Sequence, residues 1–223
     1  QAGGLEVLVD CACVRSWNDV CIRTARGGRP YVERSSSRAH VDFNISHDGD
    51  WVVMAFSRTH RVGVDVMQVA LPHFEESSAS FCRTMSSSMS RSEREWVAQG
   101  ASEADVLSRL YDVWTYKEAL TKNMGLGLGY DFARIDLRFG RDVRLAMDGR
   151  AVDTYRFREL ALPCGASSRA PGSRVAIALG PRDAWEAPMS KQAVPAQQAM
   201  DEGWLRMWTY DAWLDYAWAM SGV

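Results

Sequence analysis

Four side chains in two separated segments are of the types that phosphate chemistry uses. Asp65 sits within an apolar stretch, Val62 to Met67. Lys117, Glu118 and Lys122 lie much further along the chain, and the last two are four residues apart, so they share one face of a helix. Magnesium prefers hard oxygen ligands, commonly carboxylates with waters and phosphate oxygens. Lysines offset the charge that develops on a leaving phosphate. These residues therefore indicate a site for a magnesium-bound pyrophosphate.

Each of these residues also has a purely structural explanation. An aspartate is costly to bury in a strand, so Asp65 could simply have a hydrogen-bonding or cationic partner. Glu118 and Lys122 could form a surface ion pair worth about 0.2–0.5 kcal/mol. The basic, glycine-containing segment from Arg23 to Tyr31 could be a solvated turn. It could equally bind phosphate or ribose through freed backbone N–H groups and arginine forks. Residue spacing alone leaves these alternatives open.

The polar residues before Asp65 are predicted to form a loop. This loop, Phe43 to Asp50, carries Ser46 and His47 and leads into an apolar stretch, Trp51 to Ser57. A short and uniformly apolar stretch predicts a strand that is buried on both of its faces.

A hairpin is predicted between that strand and the one that carries Asp65. Residues 58–61 make its connection, and Val62 to Met67 form its second strand. Side chains alternate along a strand, so the three valines face the core while Gly63, Asp65 and Met67 point the other way.

Two N-terminal capping patterns predict the helices. Ser90 with Glu93 opens a helix that extends to about Gln99, and Ser102 with Asp105 opens the longest helix, which runs to about residue 123. Further strands are predicted at residues 134–139, 143–147, 155–162 and 174–179. They precede a linker over 188–199 and a tryptophan-rich helix over 201–220, which either packs back on the core or binds a partner.

Bulk composition excludes several classes of protein. The 223 residues are 47% hydrophobic and 24% charged, which is typical of a globular protein and not of a disordered one. A net charge of −2 argues against nucleic acid as the main partner, because phosphate backbones require a basic face. No apolar run is long enough to span a membrane. Five irregularly spaced cysteines suggest neither a disulfide framework nor a zinc site, so the reducing cytoplasm is the expected location.

Three motifs follow one another along the chain. They are Phe-Asn-Ile-Ser-His at 43–47, Val-Gly-Val-Asp at 62–65, and Trp-Thr-Tyr-Lys-Glu-Ala at 114–119, followed by Lys122 and the glycines at 125–129. In order and spacing they resemble the 4′-phosphopantetheinyl transferases, especially the Sfp-type members that work as pseudo-dimers. Gly28-Arg29-Pro30-Tyr31 is similar to the family's Gly-Lys-Pro segment, with arginine in place of lysine. The carboxyl-terminal extension resembles that of eukaryotic, fungal members.

The resemblance implies an α+β fold made of two pseudo-symmetric halves. Each half would be a helix packed on a small antiparallel sheet, with coenzyme A in the cleft between the halves and the first half truncated in this chain. Residues 1–57 would be the remainder of the amino-terminal half, 58–186 the carboxyl-terminal half with the metal site, and 187–223 a linker and helical tail. The protein would be a cytoplasmic monomer that binds neither membranes nor nucleic acid.

The resemblance also implies an activity, namely transfer of the 4′-phosphopantetheine arm of coenzyme A to a serine of an apo carrier protein. The acceptor would be an acyl, peptidyl or aminoadipate-reductase carrier, and adenosine 3′,5′-bisphosphate would be released. By this resemblance the catalytic residues are Asp65, Glu118 and Lys122, of which Asp65 and Glu118 hold magnesium and Glu118 helps to deprotonate the serine. The residues that bind coenzyme A would be Gly28, Arg29, Pro30, Ser46, His47, Lys117 and Lys122.

One departure from the family pattern affects the metal site. Many relatives carry a second acid two residues after the strand aspartate, where this chain has Met67. We therefore expect two protein ligands for magnesium rather than three. Two other functions remain open. One is a non-catalytic relative that binds coenzyme A or a carrier protein. The other is a magnesium phosphohydrolase, which would need only Asp65, Glu118 and His47.

Overall fold

The computed structural model describes most of the chain between residues 42 and 181, together with shorter segments on either side. The described residues are 3–6, 21–24, 29–33, 42–57, 59–163, 172–181, 194–195, 200–201, 206–209 and 212. The strands are β1 (Gly3–Glu6), β2 (Cys21–Thr24), β3 (Pro30–Glu33), β4 (Asp42–Asp48), β5 (Trp51–Ser57), β6 (Arg61–Gln68), β7 (Ile135–Arg138), β8 (Arg144–Met147), β9 (Arg150–Val152), β10 (Arg156–Leu162), β11 (Ser173–Gly180), β12 (Val194–Pro195) and β13 (Arg206–Thr209). The helices are α1 (Ser78–Met85), α2 (Arg91–Ala98) and α3 (Glu103–Met124). Across these ranges, no helix has both the length and the apolar character needed to cross a bilayer.

The first sheet has the strand order β13-β1-β5-β4. β1 runs parallel to β5 and antiparallel to β13, and β4 is antiparallel to β5. The loop predicted at residues 43–50 is wrong, because residues 42–48 form β4. The helix predicted at 201–220 is wrong at residues 206–209, which form β13 and satisfy the edge of β1. This part of the tail therefore extends the first sheet through its backbone.

The second sheet has the strand order β12-β10-β11-β6, and β6 pairs along its whole length with β11. The predicted hairpin is therefore wrong, because β5 and β6 belong to different sheets. They meet face to face instead, through the side chains of Trp51, Val53 and Ala55 on β5 and of the three valines on β6. This packing leaves Val52 45% exposed, so β5 is not buried on both faces as predicted. The predicted linker contributes β12, which runs parallel to β10.

The helix predictions at residues 90–99 and 102–123 are confirmed. Ser90 and Glu93 form a complete capping box at the start of α2, and the Ser102 side chain caps α3. α3 ends at Gly125, whose φ of +77° is the left-handed conformation that glycine adopts readily. α1 was not predicted, because its short and serine-rich sequence carries little helical periodicity.

α3 packs on the second sheet. Side chains of a three-stranded antiparallel sheet of order β7-β8-β9 belong to the same hydrophobic cluster as α3 and the second sheet. The predicted turn at Asp148 and Gly149 joins β8 to β9, and both residues have positive φ, as a tight hairpin requires. β2 and β3 form a separate hairpin. The α+β class with small, mainly antiparallel sheets is confirmed, and β1–β5 and β10–β12 are parallel pairs.

Candidate active site

Asp65 lies on the side of β6 that faces α3. Its Oδ1 accepts hydrogen bonds from Lys122 Nζ at 2.7 Å and from Ser46 Oγ at 2.9 Å. Its Oδ2 is buried and has no hydrogen-bond partner among the residues described. Burial raises the pKa of Asp65, and the Lys122 ammonium opposes that rise. Within the described ranges, therefore, one oxygen of this carboxylate is hydrogen-bonded and the other is not.

Glu118 and Lys122 approach Asp65 from the last two turns of α3. Lys122 Nζ, which contacts Asp65, lies 3.9 Å from Glu118 Oε1. Glu118 Oε2 is buried and, within the described part of the chain, has no hydrogen-bond partner. Burial raises the pKa of Glu118, the neighbouring charge of Asp65 raises it further, and Lys122 lowers it. The structure thus brings the predicted strand and helix carboxylates together around one ammonium group.

A glycine allows this approach. Gly63 precedes Asp65 by two residues and so faces the same helix. A Cβ atom at Gly63 would lie 2.0 Å from the carbonyl oxygen of Ala119 and 2.4 Å from the backbone nitrogen of Asn123. Any side chain at this position would push α3 away from β6. The glycine of the Val-Gly-Val-Asp motif is therefore what lets Glu118 reach the strand aspartate.

Alternate residues of β4 seal the edge of β6 that β11 does not cover. Side-chain oxygens of Asp42, Asn44, Ser46 and Asp48 accept hydrogen bonds from the backbone N–H groups of Val62, Val64, Val66 and Gln68, at 2.7, 2.8, 3.3 and 2.6 Å respectively. We call these four residues of β4 the polar ladder. Sequence reasoning missed three of them, although polar side chains at every second position beside an apolar strand were a readable signal.

The structure separates Ser46 from His47, which were both predicted to bind coenzyme A. Ser46 is buried, and its Oγ lies 3.0 Å from Lys122 Nζ and contacts Asp65. His47 is exposed and, as the next residue of the strand, points to the other face of the first sheet. Ser46 is therefore part of the carboxylate site and His47 is not in contact with it.

Lys117 does not point toward Asp65 and Glu118. Its side chain is 1% exposed and forms an ion pair of 2.6 Å with Glu93 of α2. Its ammonium also donates to the carbonyl oxygens of Ser88 and Phe132, both at 2.8 Å. Neighbouring positions on a helix differ by about 100°, so Lys117 faces α2 when Glu118 faces β6. The phosphate contact predicted for Lys117 does not agree with this geometry. Sequence reasoning recognised Glu93 as a capping residue but not as the partner of this lysine.

The Arg29 side chain is also engaged in hydrogen bonds and an ion pair inside the protein. It is 8% exposed and donates to the carbonyl oxygens of Lys122 at 2.6 Å and Val62 at 2.7 Å. It also forms an ion pair with Asp42. Burial lowers the pKa of Arg29, and Asp42 opposes this effect. Pro30 begins β3 and is half-buried, and Gly28 lies outside the described residues.

The residues present fit a magnesium ion held by two protein ligands. Asp65 Oδ2 and Glu118 Oε2, which have no hydrogen-bond partner in the part of the chain that is described, are hard donors of the kind that magnesium prefers. Waters and phosphate oxygens complete such sites. The ranges that the structure describes contain no cluster of three or more His, Cys, Asp or Glu side chains suited to a metal ion. Position 67 of this chain is methionine, which supplies no carboxylate.

Comparison with known proteins supplies a family. The model of the 4′-phosphopantetheinyl transferase superfamily matches residues 61–175, which include β6, all of α3 and most of the second sheet. A model described as 4′-phosphopantetheinyl transferase, N-terminal, matches residues 5–59.

Individual relatives carry the same name. The 4′-phosphopantetheinyl transferase pptA of Paxillus involutus is 33% identical over 65% of this chain and 58% of its own length. The L-aminoadipate-semialdehyde dehydrogenase-phosphopantetheinyl transferase of Homo sapiens is 28% identical over 64% of this chain and 50% of its own length. A phosphopantetheinyl transferase from a Thraustochytrium species is 31% identical over 63% of this chain and 51% of its own length.

The chain spans about half the length of the curated relatives that it matches. The superfamily match nevertheless covers more than half of this chain and includes the strand and the helix that form the carboxylate pair. Fold, motif order and sequence similarity therefore agree, and the chain belongs to the 4′-phosphopantetheinyl transferase superfamily.

Proposed function

We propose that this chain transfers the 4′-phosphopantetheine arm of coenzyme A to a serine of an apo carrier protein, with magnesium bound at Asp65 and Glu118. The observation that carries the proposal is the meeting of these two carboxylates around Lys122, each with one buried oxygen that has no hydrogen-bond partner among the described residues. A pair of buried acids with unsatisfied oxygens is costly unless a cation occupies the site in the working state.

Magnesium, when bound, would neutralise pyrophosphate charge and make the phosphorus easier to attack. The serine hydroxyl oxygen attacks the β-phosphorus of coenzyme A. A serine O–P bond forms as the bond from that phosphorus to the bridging oxygen breaks, and adenosine 3′,5′-bisphosphate leaves with the bridging oxygen.

The chain's own side chains handle the proton and the leaving-group charge. The Glu118 carboxylate, directly or through one water, accepts the serine proton as a general base. Lys122 Nζ is the partly exposed cation of the site and donates to a phosphate oxygen, offsetting charge on the leaving group. Ser46 Oγ and the β6 backbone keep the Asp65 carboxylate in a fixed orientation.

The proposed acceptors are carrier domains that present a serine. The human relative is named for the aminoadipate-semialdehyde dehydrogenase, so a carrier domain of that type is one candidate. Acyl and peptidyl carriers of fatty-acid, polyketide and nonribosomal-peptide synthesis are the others. A panel of the three apo carriers, tested at equal concentration, would rank them by the initial rate of modification.

The direct test incubates the protein with magnesium, coenzyme A and an apo carrier, and measures the carrier by intact mass. We expect the arm to be added to wild-type carrier and not to a carrier whose serine is replaced by alanine. Asp65→Asn and Glu118→Gln should each abolish the addition. Glu95→Gln makes the same chemical change at an exposed glutamate of α2 and should leave the addition intact. Full transfer by either site variant would refute the assignment.

A second candidate is a protein that binds coenzyme A without transferring its arm. One observation favours it, namely that Arg29 and Lys117, two cations predicted to bind coenzyme A, are engaged inside the protein. Calorimetric binding of coenzyme A without any mass added to the three carriers would support this alternative. Cleavage of coenzyme A in a reaction that contains no carrier would instead indicate the phosphohydrolase.

A further inference from the structure

The Arg29 guanidinium contacts three residues that are distant from it in the sequence. Its Nη2 donates to the Val62 carbonyl oxygen at 2.7 Å and pairs with the Asp42 carboxylate. Its Nη1 donates to the Lys122 carbonyl oxygen at 2.6 Å. With 8% of its surface exposed, the guanidinium has little area left for coenzyme A. Arg29 therefore joins three elements, which are β4, β6 and α3.

Asp42 completes the same connection from the other side. While it pairs with Arg29, its Oδ2 also accepts the backbone N–H of Val62 at 2.7 Å. Arg29 and Asp42 together thus hold both the carbonyl and the N–H group of one residue on β6. We call these two side chains the clamp. Buried charge-assisted hydrogen bonds of this kind are stronger than neutral ones and fix geometry.

The clamp holds the two elements that carry the site. Val62 precedes Asp65 by three residues on β6, and Lys122 follows Glu118 by one turn of α3. The carbonyl groups in the last turn of a helix lack ordinary helical partners, so an outside donor can determine where that end of the helix lies. The contact from Arg29 to the Lys122 carbonyl is therefore one of those that hold the end of α3 on β6, together with the hydrogen bond from Asn123 Nδ2 to the Arg61 carbonyl.

We propose that Arg29 is a positioning residue, which acts with Asp42 to hold the end of α3 against β6 and so keeps Glu118 and Lys122 within reach of Asp65. Arg29 does this without touching coenzyme A. The inference rests on the proposed function for its kinetic test, and a second test needs no activity. It assigns to the Gly-Arg-Pro segment a role that differs from the coenzyme contact expected from the family resemblance.

The kinetic test separates positioning from coenzyme binding. For Arg29→Met we expect kcat to fall about 10- to 100-fold, because misplacement of catalytic groups by about 1 Å can cost that much. KM for coenzyme A should change little. Arg29→Lys keeps a cation that can reach part of the same acceptors, so it should recover part of kcat. Arg91→Met, which removes an exposed cation from α2, is the matched control and should leave both constants unchanged.

Asp42 supplies the sharper discrimination, because it is not predicted to touch coenzyme A. Asp42→Asn should lower kcat as Arg29→Met does, and the double variant should be no worse than the poorer single variant, since the two residues act as one unit. A rise in KM with unchanged kcat for Arg29→Met, together with normal kinetics for Asp42→Asn, would show that Arg29 contacts the coenzyme. The positioning role would then be wrong while the transferase function stood.

The activity-independent test is amide hydrogen exchange in the chain alone. Gly125 N–H donates to the Lys122 carbonyl and Leu126 N–H donates to the Thr121 carbonyl, so these two amides report on the end of α3. We expect Arg29→Lys and Asp42→Asn to speed their exchange at least about tenfold while the amides of α2 keep their wild-type rates. Unchanged exchange at Gly125 and Leu126 would overturn the proposal even if wild-type protein showed no transfer. If Arg29→Met fails to fold, Arg29→Lys and Asp42→Asn carry both tests.

Discussion

Lys122→Met should make the metal-free chain bind a divalent cation more tightly. In the structure the Lys122 ammonium lies 2.7 Å from Asp65, 3.0 Å from Ser46 Oγ and 3.9 Å from Glu118. It therefore contacts the same two carboxylates that would hold the metal ion. Its charge opposes the entry of a divalent cation unless the ammonium withdraws, and methionine removes the competing charge while keeping a similar length.

The size of the effect follows from the contacts that are lost. A hydrogen bond to a charged group is worth about 1.5–3 kcal/mol, and the ammonium gives up one such bond to Asp65 when it withdraws. Because about 1.4 kcal/mol corresponds to a tenfold change in affinity, Lys122→Met should lower Kd roughly 10- to 100-fold. In the wild-type protein with coenzyme bound, the lost hydrogen bond would be replaced when Lys122 donates to a phosphate of the coenzyme. Metal and coenzyme would then bind cooperatively.

The assay is a titration with Mn²⁺, followed by calorimetry or by the spectrum of the free ion, at pH 7.5 without coenzyme. Lys122→Arg retains the cation and should keep Kd near the wild-type value. Arg91→Met removes an exposed charge from α2 and controls for net charge. Lys122→Met should also lower the melting temperature of the metal-free protein, and added metal should restore it. A Kd for Lys122→Met equal to or weaker than that of wild type would refute the competition.

Three further predictions concern the surroundings of the site. Gly63→Ala should lower both the melting temperature and the transfer rate, because its Cβ meets α3, whereas Gly140→Ala meets only ordinary contacts and should do neither. Lys117→Met should lower the free energy of unfolding, measured in urea, by about 3–5 kcal/mol, because Glu93 would stay buried without its cation. A rise in KM for coenzyme A without loss of stability would contradict this prediction. Glu118→Gln should stabilise the metal-free fold at pH 8 despite abolishing transfer. Because the folded-state pKa of Glu118 is raised, its favourable contribution to the free energy of unfolding is present below its unfolded-state pKa and is lost as the pH rises through the folded-state pKa. The stability advantage of Glu118→Gln should therefore shrink toward pH 4. A difference in stability that did not change with pH would count against the raised pKa.

Local signals in the sequence indicated the residues of the carboxylate pair, and the family resemblance selected the metal-site interpretation over the structural one. A charged residue in an apolar strand and an acid–lysine pair at helical spacing can be recognised without tertiary contacts, and the structure places Asp65 beside Glu118 and Lys122. The helix boundaries were equally local, because capping depends on residues within one turn.

Contacts between distant segments are what the sequence could not show. β4 looked like a loop because its polar side chains bind the backbone of β6, which hydropathy cannot show. Strands β5 and β6 looked like a hairpin because they are adjacent in sequence, yet each pairs elsewhere. Arg29 and Lys117 looked like ligand-binding cations because their buried partners, Asp42 and Glu93, are not their sequence neighbours in any recognisable pattern.

The polar ladder has a consequence for any shortened form of this protein. A strand whose edge amides are left bare can recruit a strand from another molecule, and natural proteins guard such edges. Here the polar ladder on residues 42–48 accepts hydrogen bonds from the edge amides of residues 62–68 and so covers that edge. A fragment that starts at residue 61 would keep the carboxylate pair but expose that edge. It should therefore self-associate, and adding a peptide of residues 42–57 in trans should convert it to a complex of one fragment and one peptide.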